Sequence, residues 1–248
     1  MCSWKTTRTF CAILLVLPLL HLALLMSSET LSLLDATPGA WKADVAAYNE
    51  ALVIEELPEN PVVVIGGRLV TLWPGLEQAL APKPVLMRGL GDATVDDITH
   101  YYQSLVGVYR PETVVLLPSD SNFHLRDYKS ANEMVDSIKR LVALDAAHGR
   151  TRVFYVFAPL QTPRYPGDRA TLHRVSTELQ RWAARRHGVE VLDANPLLAN
   201  ADGPDPRWFR SDGVHLNDGG FLRLSVLLQQ AMAEQTVDQA NRVALHNP

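Results

Sequence analysis

Pro61-Val62-Val63-Val64-Ile65-Gly66-Gly67-Arg68 is the stretch from which the fold can be read. Four β-branched residues in a row, without polar alternation, describe a strand buried on both faces, and the glycine pair ends it in a tight turn. The same punctuation recurs along the chain. Val85-Leu86-Met87 stops at Gly89, Val114-Val115-Leu116-Leu117 at Pro118, Val153 to Ala158 at Pro159, and Val189-Glu190-Val191-Leu192 at Asp193. Helical stretches lie between and after these runs, at about 94–108, 130–148, 169–187 and 219–235, and one more is expected over 40–57. Met134, Ile138, Leu141 and Val142 recur at the spacing of one helix face, as do Leu172, Val175, Leu179 and Trp182, so both sets read as core stripes. Thr94 followed by Asp96 and Asp97 supplies an N-cap with acids in the first turn. Five buried strands alternating with helices predict a three-layer α/β/α sandwich around a mainly parallel five-stranded sheet. Ligands of such sheets bind beyond the carboxyl ends of the strands, so the loops just after the apolar runs carry the chemistry.

Bulk properties remove several classes of function. At 47% hydrophobic and 20% charged residues the chain is neither low-complexity nor disordered. A net charge of -4 carries no basic footprint, which argues against a nucleic-acid partner. The two cysteines, Cys2 and Cys11, both precede the folded region, so a disulfide framework, a zinc-finger spacing and a thiol nucleophile are all excluded there. No helical His/Glu spacing supports a metal, and neither metal nor cofactor is expected.

Phe10 to Met26 is a 17-residue run interrupted only by Pro18 and His21, with Lys5 and Arg8 before it. It is short for a membrane span, long for a signal-peptide core, and followed by a poor cleavage site, since Leu25 or Met26 would stand at -3. The reading is an uncleaved inner-membrane anchor over residues 1–35. The domain, residues 36–248, would then face the periplasm or exterior. The alternative is a cleaved signal and a secreted or periplasmic domain.

The strand-end loops hold the unusual residues: Gly66-Gly67-Arg68 with Trp73, Arg88-Gly89-Leu90-Gly91-Asp92, Ser119-Asp120-Ser121-Asn122, Pro159 to Pro166, and Ser211-Asp212-Gly213-Val214-His215-Leu216-Asn217-Asp218-Gly219-Gly220. In order and spacing, over roughly residues 40 to 230, they resemble the SGNH (GDSL-type) hydrolases, lipases and esterases on a flavodoxin-like sheet. The resemblance implies a serine nucleophile after the first strand and a histidine base oriented by an Asp three residues earlier. It also implies oxyanion donors from the serine N–H, a glycine of the second block and an asparagine of the third. Carried over residue by residue, Asp212 and His215 match the retained pair. The nucleophile position holds Arg68, the oxyanion glycine position Asp92 and the asparagine position Ser121. Trp73, five residues past Arg68, matches the family's tryptophan and argues against a slipped register.

Arginine is no nucleophile, and a carboxylate repels a developing oxyanion. The two replacements complement each other, and an Arg68–Asp92 ion pair filling the acyl site is expected. Ser119 and Ser121 stand as substitute nucleophiles or, more plainly, as turn-capping hydroxyls. A one-residue shift would bring Asn122 into the oxyanion role. His100, His124, His148, His173 and His187 read as solvated surface residues. The expected function is a non-catalytic binding or scaffolding member with a remodelled site, facing an acylated or anionic ligand of the cell envelope. The alternative is an ester hydrolase that uses Asp212 and His215 with a displaced serine or an activated water.

Overall fold

The computed structural model of the chain describes residues 37–54, 57–124 and 126–246, with positions 8, 13–14 and 16–22 ahead of them. The chain divides into two compact units, residues 1–40 and residues 41–248. The expected anchor, Phe10 to Met26, lies partly outside the described residues, which within it are 13–14 and 16–22. Among those described, no helix is long and apolar enough to cross a membrane.

In the second unit, helix α1 (Lys42–Ile54) precedes strand β1 (Val62–Gly66), which is followed by the short helices α2 (Arg68–Thr71) and α3 (Leu76–Ala79). Next come β2 (Val85–Gly89), α4 (Val95–His100), α5 (Tyr102–Leu105), β3 (Thr113–Leu117), α6 (Ala131–His148), β4 (Val153–Phe157), α7 (Arg169–Ala183), β5 (Val189–Leu192) and α8 (Asp218–His246). The sheet order is β2-β1-β3-β4-β5, with every pairing parallel. Strand order therefore reverses beside β1, the switch point beside which ligands of such sheets bind.

The expected five-stranded α/β/α sandwich is what forms. Side chains alternate across the pleat: Val63, Ile65, Val114, Leu116, Phe154 and Val156 face one buried cluster, and Val62, Val64, Val115, Leu117, Tyr155 and Phe157 the other. Helices α4, α6 and α7 supply the first cluster and α8 the second. Burying each large aliphatic or aromatic chain contributes about 1.5–3 kcal/mol, which is why the sheet centre is the rigid frame of the site.

The helix expected over 219–235 runs on to His246, and two further differences lie in the middle of the chain. The helix expected over 94–108 is broken at Tyr101 into α4 and α5, although Ile98, Tyr102 and Leu105 all remain buried. Thr94 caps α4 in a capping box with Asp97, and Ser130 does the same for α6 with Glu133, which sets where both helices begin. The helix expected over 169–187 ends at Ala183, just short of the turn that leads into β5.

Candidate active site

Close approach of the strand-end loops shapes the site. A Cβ on Gly66 would fall 2.2 Å from the Leu117 carbonyl oxygen, and one on Gly67 2.7 Å from the Ser119 Cβ. Only glycines let the loop after β1 lie against the loop after β3. Gly67 delivers Arg68 to the first position of α2, and Trp73 anchors the segment. The Trp73 indole N–H donates to Ser225 Oγ at 2.9 Å, and its ring packs on Phe157 and Phe221.

Arg68 and Asp92 meet in a bidentate pair: Nε donates to Oδ1 at 2.9 Å and Nη2 to Oδ2 at 2.7 Å. Fork-to-fork geometry of this kind is the stronger form of ion pair, although 45% of the Arg68 side chain stays exposed. The Arg68 hydrogen bonds hold the Asp92 carboxyl below its ordinary range, against the opposing effect of burial. Behind Asp92, Arg88 is committed to the framework. Its guanidinium sits 4.9 Å from the Tyr48 ring centroid and 4.8 Å from that of Tyr109, and Nε donates to the Tyr109 hydroxyl at 2.7 Å.

The loop after β3 turns most of its polar side chains inward. Ser119 is buried and its hydroxyl donates to the Ala93 carbonyl at 2.8 Å. Ser121 is 2% exposed. Asn122 is fully buried; its Oδ1 accepts from the Val95 N–H and its Nδ2 donates to the Ser119 carbonyl, each at 2.9 Å. These bonds tie the loop to the start of α4 and leave the Asn122 amide committed to backbone. Asp120 instead borders the cleft. Burial pushes its carboxyl up, with the nearby Asp92 charge adding, while His215 and His124 pull it down.

The last loop presents Asp212 and His215 in contact. His215 Nδ1 lies 2.7 Å from Asp212 Oδ2, while Asp212 Oδ1 accepts the N–H groups of Val214 and His215 at 2.8 and 2.9 Å. Burial opposes ionisation of Asp212, but the backbone N–H of Val214 and the ring and N–H of His215 bring it down to about 2. The carboxylate thus fixes which ring nitrogen faces it and leaves Nε2 for the cleft.

A narrow pocket of about 420 Å³, mouth included, adjoins this centre. Leu69, Asp120, Phe123, Leu160 and Val214 are among its walls. His124 is also there, and this corrects its reading as a solvated surface residue. Its Nε2 lies 2.6 Å from Asp168 Oδ2, and its ring stacks on Tyr165 with centroids 3.9 Å apart. The partner stands 44 residues away on another strand-end loop, so no local pattern signals it. Among the described residues, no group of three or more His, Cys, Asp or Glu is disposed to hold a metal ion.

The arrangement brings Arg68, Asp92, Asp120, Asp212 and His215 to the carboxyl end of the sheet. Ser119, Ser121 and Asn122 are buried there, although Ser119 borders the pocket. The model of the GDSL-like lipase/acylhydrolase family matches residues 62–222, more than half of the chain. The chain belongs to that family. Known structures agree on the fold of this GDSL-like protein. A GDSL-like lipase from Bacteroides thetaiotaomicron superposes with a TM-score of 0.66 at 15% identity, covering 78% of this chain and 98% of its own. A carbohydrate esterase of family 3 from Talaromyces cellulolyticus gives 0.56 at 15% identity, covering 72% and 98%. A member of the lipolytic G-D-S-L family from Veillonella parvula gives 0.57 at 12% identity, covering 68% and 96%. Among curated proteins none matches this chain.

Proposed function

We propose that this GDSL-like protein is a non-hydrolytic binding or scaffolding member of its family. In this reading an N-terminal helix tethers it outside the cytoplasmic membrane and it faces an acylated or anionic envelope ligand. The observation that carries the reading is the bidentate Arg68–Asp92 pair. It puts a guanidinium where the family resemblance wants a serine, and a carboxylate where it wants an oxyanion donor. An incoming ester carbonyl would meet a filled acyl site, and a tetrahedral oxyanion would face the Asp92 negative charge. The carbohydrate esterase among the structural neighbours makes an acylated glycan a reasonable first ligand to try.

The test is active-site labelling of the full chain with a fluorophosphonate. No serine adduct is expected by mass spectrometry. An adduct on Ser119 or Ser121 that depends on His215 would overturn the reading.

A second reading is favoured by the intact His215–Asp212 hydrogen bond at 2.7 Å. In it the protein hydrolyses esters by a water molecule that His215 deprotonates. The buried state of both serines supports water over a displaced hydroxyl as the nucleophile. Turnover without any serine adduct would select this reading over the first.

A further inference from the structure

A basic groove runs between α6 and α7, away from the candidate active site. His187 and Gly188 lead directly into β5, so its Arg185–His187 end lies at the amino end of the strands, opposite the family site. Two adjoining hollows of about 950 and 1010 Å³, open mouths included, share Lys139, Trp182 and Arg186. Arg140 lines one of them, and Arg181 and Arg185 the other. Among the lining residues described, five cations stand with two carboxylates, Asp136 and Glu178, in a chain whose net charge is -4.

Internal pairing does not neutralise this surface. Lys139 lies 3.8 Å from Asp136 and Arg140 3.0 Å from Asp96. Arg186 rests over Trp182, 5.0 Å from the ring centroid. Arg181 and Arg185 make no ion pair among the described residues. Cations in the last turn of α7 suit the helix dipole, which accounts for part of the cluster. The dipole does not account for Lys139 and Arg140, which sit in the middle of α6 and line the same groove. Cations in excess of the carboxylates beside them repel one another, and an anion lying in the groove lowers that cost.

We infer that this groove is a binding site for a linear phosphate-bearing polymer. Two adjoining hollows with cations in both suit a chain more than a single ion. Four of its five cations are arginines, whose planar forks match phosphate oxygens in bidentate fashion. Arg181 lies in the last turn of α7 and Arg185 in the turn just beyond it, and both line the same hollow.

The test is titration of the full chain with inorganic polyphosphate, at low and at physiological salt, beside Arg181→Glu/Arg185→Glu and Lys42→Glu. Lys42 opens α1 and is exposed, so its change alters charge outside the groove. Saturable binding that weakens with salt is expected. The groove variant should bind about tenfold more weakly or worse, and Lys42→Glu within about twofold of the parent. Should the charge reversal disturb folding, Arg181→Ala/Arg185→Ala makes the same comparison. Absence of binding, or equal weakening in groove and control variants, would overturn the site. Polyglutamate binding as tightly at equal charge would overturn the phosphate assignment. Displacement by inorganic phosphate at equal phosphoryl concentration would overturn the polymer.

Discussion

The Arg68 guanidinium and the Asp92 carboxylate face each other in two N–H···O bonds of 2.9 and 2.7 Å. Each residue makes the other tolerable at the end of a parallel sheet. Arg68 alone would leave a cation at the mouth of the crevice, and Asp92 alone would leave a half-buried charge beside Asp120. In the reading proposed above, together they close the position of the family's nucleophile.

Because Arg68 is nearly half exposed, solvent screens the pair. Arg68→Ala should cost no more than about 1 kcal/mol in urea unfolding, and the Arg68/Asp92 double-mutant cycle should give a coupling of about 0.5–1 kcal/mol. A coupling indistinguishable from zero would mean the two groups are not held together in solution.

Acid should expose the same interactions. Asp92 and Asp212 are held below their ordinary range in the folded chain. Groups of this sign add stability above the unfolded carboxylate value near 4 and lose it as pH falls toward their folded values. For Asp212 that window runs from about 4 down to about 2. Asp120 has the opposite sign, since burial raises its carboxyl and its ionisation weakens the fold at neutral pH. Asp120→Asn should raise the free energy of unfolding in urea at pH 7, by on the order of 1 kcal/mol or less, with the gain fading as pH drops toward 4. A loss of stability at pH 7 would contradict the assignment.

Asn122 serves the framework. It is fully buried and accepts the Val95 N–H at the start of α4. Asn122→Ala leaves that buried donor unsatisfied and removes one of two donors to the Ser119 carbonyl, and should cost about 1–3 kcal/mol by chemical denaturation. A variant of unchanged stability would show that water or a neighbour replaces it.

Much of this was legible in the sequence, for physical reasons. Strands buried on both faces need apolar side chains at every position, so Val62 to Ile65 and Val114 to Leu117 announce themselves without a periodicity argument. Complementary charge at Arg68 and Asp92 is likewise visible once two strand-end loops are known to meet. What stayed hidden depends on geometry across the sheet. The His124–Asp168 contact joins loops 44 residues apart that adjoin only because β3 pairs with β4. The break at Tyr101 stayed hidden too, because an apolar stripe reports which face is buried, whatever the continuity of the backbone. Asn122 reads equally as oxyanion donor or cap until its burial is known.

If Arg68 and Asp92 are what separate this chain from an esterase, reversing them should restore chemistry. Arg68→Ser with Asp92→Gly should acquire hydrolysis of a short p-nitrophenyl ester that is lost again when His215→Ala is added. Continued inactivity of a folded double variant would show that the site has drifted at further positions.

The most direct measurement is the steady-state hydrolysis of p-nitrophenyl acetate and of an acetylated sugar by the full chain beside its His215→Ala variant. The account predicts rates that coincide and do not rise above the spontaneous reaction. Turnover by the parent that His215→Ala abolishes would contradict it.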